Sequence, residues 1–153
     1  FLIIYLYMYN QILKTIIFLQ IVFLSYTLNY LNERKTCKHL QTEKGLRHFL
    51  LFHHFIAVFI FMGWILLPDK ILYSYIYFTL GILLHWKFND NRCVFTDLYY
   101  HMCGKINYFK VKNPLPFRDI LWQIGLKNAR IRTIVYNLII ALGIIKCIYY
   151  KLY

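Results

Sequence analysis

FLLFHHFIAVFIFMGWILL, Phe49 to Leu67, carries no charge when its two histidines are neutral. A helix that crosses a bilayer core about 30 Å thick needs roughly 20 apolar residues, and this stretch is close to that length. A helix in water must also show water a polar face, whereas Phe55 to Leu67 offers nothing more polar than Gly63 and the Trp64 indole. The run is continuous rather than alternating, which excludes the strand of a membrane barrel. Lipid is therefore the expected solvent.

Three more segments repeat the pattern. Thr15 to Leu31 is free of charge, and Phe1 to Leu13 extends it backward with only Lys14 between; a span over about 12–31 is expected. Ile71 to Trp86 is shorter, but Pro68-Asp69-Lys70 and Trp86-Lys87 flank it with residues that settle at headgroup level. Thr133 to Tyr150 holds a single lysine, Lys146, near its far end. Pro68-Asp69-Lys70 is too short for anything but a tight turn, so spans 49–67 and 71–86 are expected as an antiparallel helical hairpin. The expected fold class is all-α, one membrane domain of four transmembrane helices, with spans at 12–31, 49–67, 71–86 and 133–150.

Composition agrees with that reading. Of 153 residues 60% are hydrophobic and 16% charged, where soluble domains approach half and about a quarter; mean hydropathy is +0.48. Eighteen Lys and Arg against six Asp and Glu give a net +12, and most of that charge lies in two loops, 32–48 and 87–132. The first holds Arg34, Lys35, Lys38, Lys44 and Arg47; the second holds nine basic residues, from Lys87 to Arg132. Because positive loops stay on the cytoplasmic side, both loops are expected there and both termini opposite. The charge is read as orientation plus attraction to anionic headgroups. Nucleic acid is not an expected partner, since no patterned aromatic and glycine motif accompanies the basic residues.

In the long loop Asn89-Asp90-Asn91 signals a turn, Thr96 fits an N-cap ahead of Asp97 to Met102, and Gly104 suits the end of that helix. Pro114 and Pro116 break the chain. Asp119 to Arg132 then sets Ile120, Leu121, Ile124 and Ile131 against Lys127, Asn128 and Arg130, as an interfacial helix leading into the last span. The amino-terminal stretch has neither the basic region nor the small-residue cleavage site of a secretory signal.

The candidate metal ligands are His53, His54, His85 and Cys93, with His101 and Cys103 nearby in sequence. Histidine within a membrane serves as ligand or proton relay. The spacing is poor, however: there is no Cys-x-x-Cys and no His-x-x-x-His, and adjacent His53 and His54 point about 100° apart on a helix. Packing and cross-helix hydrogen bonding is the expected role, with no cofactor. Cys37, Cys93 and Cys103 fall on the expected cytoplasmic side and Cys147 lies near the other face, so no structural disulfide is expected. No oriented base, oxyanion hole or intramembrane carboxylate pair supports enzyme or carrier chemistry. Gly63 and Gly81 are read as packing notches.

One resemblance adds to this. His54, Phe59, Gly63-Trp64, Leu84-His85-Trp86, Asn91, Cys93, Phe95-Thr96 and Leu98 resemble a family of small four-helix membrane proteins of unknown function, found in bacteria and, in related form, in large DNA viruses. Where that family has a Cys-Pro-Leu-Thr-x-Leu-Glu type signature, this chain has Val94-Phe95 for the Pro-Leu pair and Asp97 directly after Thr96. The likeness covers about a third of the chain and implies no reaction. Heavy use of Ile, Phe, Tyr, Asn and Lys also suits an AT-rich gene, as in a large DNA virus, an organelle or an AT-rich microbe. The expected function is non-enzymatic: a structural or assembly component of a cellular, organellar or viral membrane, with membrane or capsid/complex proteins as partners. The alternative is a His/Cys-based metal- or haem-binding redox protein. A transporter or channel is third, for want of intramembrane charge.

Overall fold

A computed structural model describes residues 2–89, 93–104, 121 and 125–152, and every regular element among them is helical. In chain order these are α1 (Leu2–Glu33), α2 (His39–Thr42), α3 (Lys44–Leu66), a 3₁₀ turn (Asp69–Ile71), α4 (Leu72–Phe88), α5 (Val94–Met102) and α6 (Ala129–Leu152). Three are long and apolar enough to cross a membrane: Ile4–Glu33, Lys44–Leu66 and Arg130–Tyr150. The segment expected as the third span forms α4, of 17 residues, roughly 25 Å at 1.5 Å per residue and thus a little short of the hydrocarbon thickness.

Helix boundaries reach past the charge-free runs. Lys14 lies inside α1, and α3 begins at Lys44 rather than Phe49. A charged side chain ends an apolar run but not a helix, because Lys and Arg are good helix formers that carry their heads to the interface. The last helix starts at Ala129, where the Asn128 Oδ1 accepts from the backbone N–H groups of Arg130 and Ile131 at 2.9 and 3.3 Å. Gly125, at φ 99°, and the irregular residues after it therefore interrupt the expected interfacial helix 119–132. Residues 119, 120 and 122–124 of that expectation, the Asp90-Asn91 part of the turn and the Pro114-Pro116 break lie outside the described residues.

α3 is the centre against which α1, α4, α5 and α6 pack. Toward α1, Phe18 and Val22 close on Val58, with the Phe18 and Phe55 rings edge to face at 5.5 Å. Toward α4, Tyr75 is buried and its hydroxyl donates to the Ile60 carbonyl at 2.8 Å, while Phe78 meets Phe59 edge-on at 5.3 Å. Gly63 is the notch its sequence suggested: an added Cβ would lie 3.3 Å from the Tyr75 ring. A tighter notch is Gly143 on α6, where a Cβ would come within 2.6 Å of the Tyr75 hydroxyl and 3.1 Å of the Trp64 ring. Beside it Lys146 donates from Nζ to the Trp64 carbonyl at 2.7 Å, one of the last carbonyls of α3 and short of a partner within its own helix.

The first basic loop meets α5, which belongs to the second, at one end of α3. Cys37, Leu40, Leu46, Leu50, Tyr99 and Tyr100 form a small core there, with Cys103 at its edge. Cys37 and Cys103 are joined by a disulfide, with Cα atoms 5.1 Å apart. This corrects the expectation of free thiols, which rested on an assumed reducing compartment and not on distance. Cys93 and Cys147 are free.

Candidate functional site: a cavity beneath the start of α5

His53 and His54 leave α3 in different directions, as adjacency requires. The His54 ring points at α1. Its Nδ1 lies 2.8 Å from the Ser25 hydroxyl and its Nε2 3.1 Å from the Asn29 Nδ2. With the Asn29 amide donating to Nε2, Nδ1 carries the proton and donates to Ser25, so the ring is a neutral imidazole filling one donor and one acceptor role. All three side chains are buried. His54 therefore joins α1 to α3 and is not at the same place as the other three candidate ligands.

Those three are brought together. His53, His85 and Cys93 line a single cavity of about 320 Å³ between α3, α4, the first turn of α5 and α6. Cys93 Sγ lies 3.8 Å from His53 Nε2. His85 Nε2 accepts from the Val94 backbone N–H at 3.3 Å, so a ring from α4 caps the first turn of α5. That is why α5 begins at Val94, with Cys93 in extended conformation as its N-cap residue, and not after Thr96. Thr96 is buried within the helix. The other end of α5 is as expected: Gly104, at φ 72°, takes the left-handed conformation that ends a helix without the penalty of a Cβ.

Most of the wall is apolar. Ile56, Ile60 and Phe61 come from α3, Ile82 from α4, and Val94 and Phe95 from α5. The Phe61 and Tyr136 rings stack at 4.2 Å and bring α6 into the wall. Gly81 also lines the cavity, and a Cβ there would meet nothing within 4 Å. This corrects the packing-notch expectation for Gly81, because the space beside it is empty instead of filled by a neighbouring helix. Trp86 is in the lining too, with Nε1 buried and without a hydrogen-bond partner.

Among the described residues no three His, Cys, Asp or Glu side chains are grouped so as to hold a metal ion. His53 and Cys93 approach as a pair, and His85 spends one ring nitrogen on the α5 backbone. Sequence spacing suggested the candidates but missed the partners: Gly81 and Trp86 of α4 and Tyr136 of α6 reach the cavity from two segments that only the fold assembles. Compared with models of protein families, with curated proteins and with solved structures, the chain matches none.

Proposed function

We propose that this chain is a non-enzymatic integral membrane protein that crosses the bilayer four times and works by associating with other membrane helices, as a structural or assembly component. The observation that supports this reading is the N-terminal part of α1. Ile4, Tyr5, Leu6, Tyr7, Met8 and Tyr9 are consecutive, and each is at least 51% exposed. Six neighbours in a row sweep the whole circumference of a helix, so this segment presents exposed apolar surface on every side. Lipid and partner helices are the surroundings that suit it. On α6, Ile134, Leu138, Leu142 and Ile145 extend the same kind of surface along one stripe.

In this reading α4 is the remaining span, paired with α3 as a hairpin around the Asp69–Ile71 turn. The pairings Ile60 with Tyr75 and Phe59 with Phe78 support it, and a slightly thinned bilayer accommodates its length. Basic residues of the loops would lie against anionic headgroups. The test is purification from membranes in a mild detergent after chemical cross-linking. Discrete oligomers or a stoichiometric membrane partner are expected, and they should be lost when Leu6, Met8 and Tyr9 are replaced by serine. A protein dispersed as a monomer without any surfactant would overturn the reading. An optical spectrum and metal analysis of the same sample decide the rival: stoichiometric haem or metal would favour a His/Cys redox protein over a structural one.

A further inference from the structure

The cavity beneath α5 is made of features that neither lipid contact nor helix association needs. Its volume of about 320 Å³ falls at the lower end of the range for small-molecule sites, roughly 300 to 1,000 Å³. The space is partly open and not sealed, so a ligand can enter it, and its lining lacks contacts that a ligand or packed side chains would make. No Lys, Arg, Asp or Glu is among the described residues that line it, so nothing there compensates a charged ligand, and burying an uncompensated charge is prohibitive. The wall is dominated by Ile, Phe and Val. Its polar groups are at the end nearer the basic loops, where His85 and Trp86 close α4 and Cys93 precedes α5. Trp86 Nε1 is buried within the protein, so the polar groups that this end offers a ligand are the His85 ring and the Cys93 thiol.

We propose that this cavity binds one uncharged lipophile with a carbonyl head, its apolar part against Ile56, Ile60 and Gly81 and its carbonyl at the end lined by His85 and Cys93. Two sources share that chemistry, a quinone and an acylglycerol ester, and both fit an opening among membrane-spanning helices. The proposal goes beyond the structural role argued above and holds whether or not partner helices cover α1. Gly81 makes it testable, since it lines the cavity and a Cβ added there meets nothing within 4 Å.

The chain has three tryptophans, so replacing Trp64 and Trp122 with phenylalanine leaves Trp86 as the sole indole reporter. Detergent-solubilised protein is titrated with decyl-benzoquinone, a neutral carbonyl compound that quenches indole fluorescence, and then with monooleoylglycerol as competitor. The expected result is saturable quenching of Trp86 that weakens by at least about tenfold in Gly81→Leu, while the thermal unfolding midpoint of Gly81→Leu stays at or above that of its parent, as filling a void implies. Competition by monooleoylglycerol assigns the site to acylglycerols as well; quinone binding without competition assigns it to quinones. Linear, unsaturable quenching, or equal quenching in Gly81→Leu, overturns the proposal. Should Gly81→Leu not fold, Ala57→Leu fills the same space from α3 and is read in the same way.

Discussion

At the scale of single residues, the molecule contrasts a buried polar group that is satisfied with one that is not. His54 has both ring nitrogens engaged, by Ser25 and Asn29 of α1. Polar contacts between membrane helices are worth about 0.6 kcal/mol on average and up to about 1.7, and removing this ring also strands its two partners. His54→Leu should therefore cost about 1 to 2 kcal/mol, read as a lower thermal midpoint in detergent. Ser25→Ala should cost less in the His54→Leu background than alone, and strictly additive effects would deny the contact. Tyr99 is the opposite case. It is fully buried, its hydroxyl has no hydrogen-bond partner, and burial first, with Glu33, Tyr100 and Tyr26 adding, pushes its phenol far above the ordinary value. Tyr99→Phe should leave the midpoint unchanged or raise it, since only an unsatisfied group is removed; a clear drop would mean the hydroxyl has found an acceptor. Sequence alone indicated that adjacent histidines must diverge, because that follows from helical geometry. It could not indicate which one faced α1, because Ser25 and Asn29 are ordinary polar residues of an apolar run until α3 is laid beside them.

Between elements, contact depends on where side chains are small. Gly143 was silent in the sequence: one glycine in an apolar helix has no meaning until Tyr75 and Trp64 are known to be opposite it. The Tyr75 hydroxyl is held on the Ile60 carbonyl, so it cannot swing aside at no cost, and Gly143→Ala should displace α6 and destabilise the protein by about 1 to 3 kcal/mol. Thermal unfolding of the variant checks this, with Gly45→Ala as a control at a site where a Cβ meets nothing within 4 Å. Apolar run length located α1, α3, α4 and α6, since lipid burial is a property of each segment by itself. Boundaries were less legible. The start of α5 depends on an acceptor from His85 and the start of α6 on Asn128, one near the end of the preceding helix and one within a stretch whose alternating apolar and basic residues had suggested a continuous helix.

For the whole molecule, composition made the all-helical class and the membrane-spanning lengths plain, while the joining of the two basic loops by Cys37 and Cys103 was not foreseen. Cysteines 66 positions apart carry no spacing signal. Closing a loop of that length contributes about 4 kcal/mol in the chain-entropy account, so reductant, or Cys37→Ser, should lower the unfolding midpoint, and an unchanged midpoint would show that the bond adds nothing. The bond also bears on orientation. Basic loops favour the cytoplasmic side, whereas disulfides persist in oxidising compartments. We expect the charge asymmetry to set the side at insertion and the bond to close only where an oxidant reaches that end. Membrane-impermeant maleimide applied to sealed inside-out vesicles should then label Cys37 and Cys103 after reduction, and labelling only in right-side-out vesicles would reverse the orientation. A protease nick anywhere between Lys38 and Met102 would leave the two pieces travelling together through electrophoresis, so the cut would pass unnoticed until a reducing agent let the fragments part.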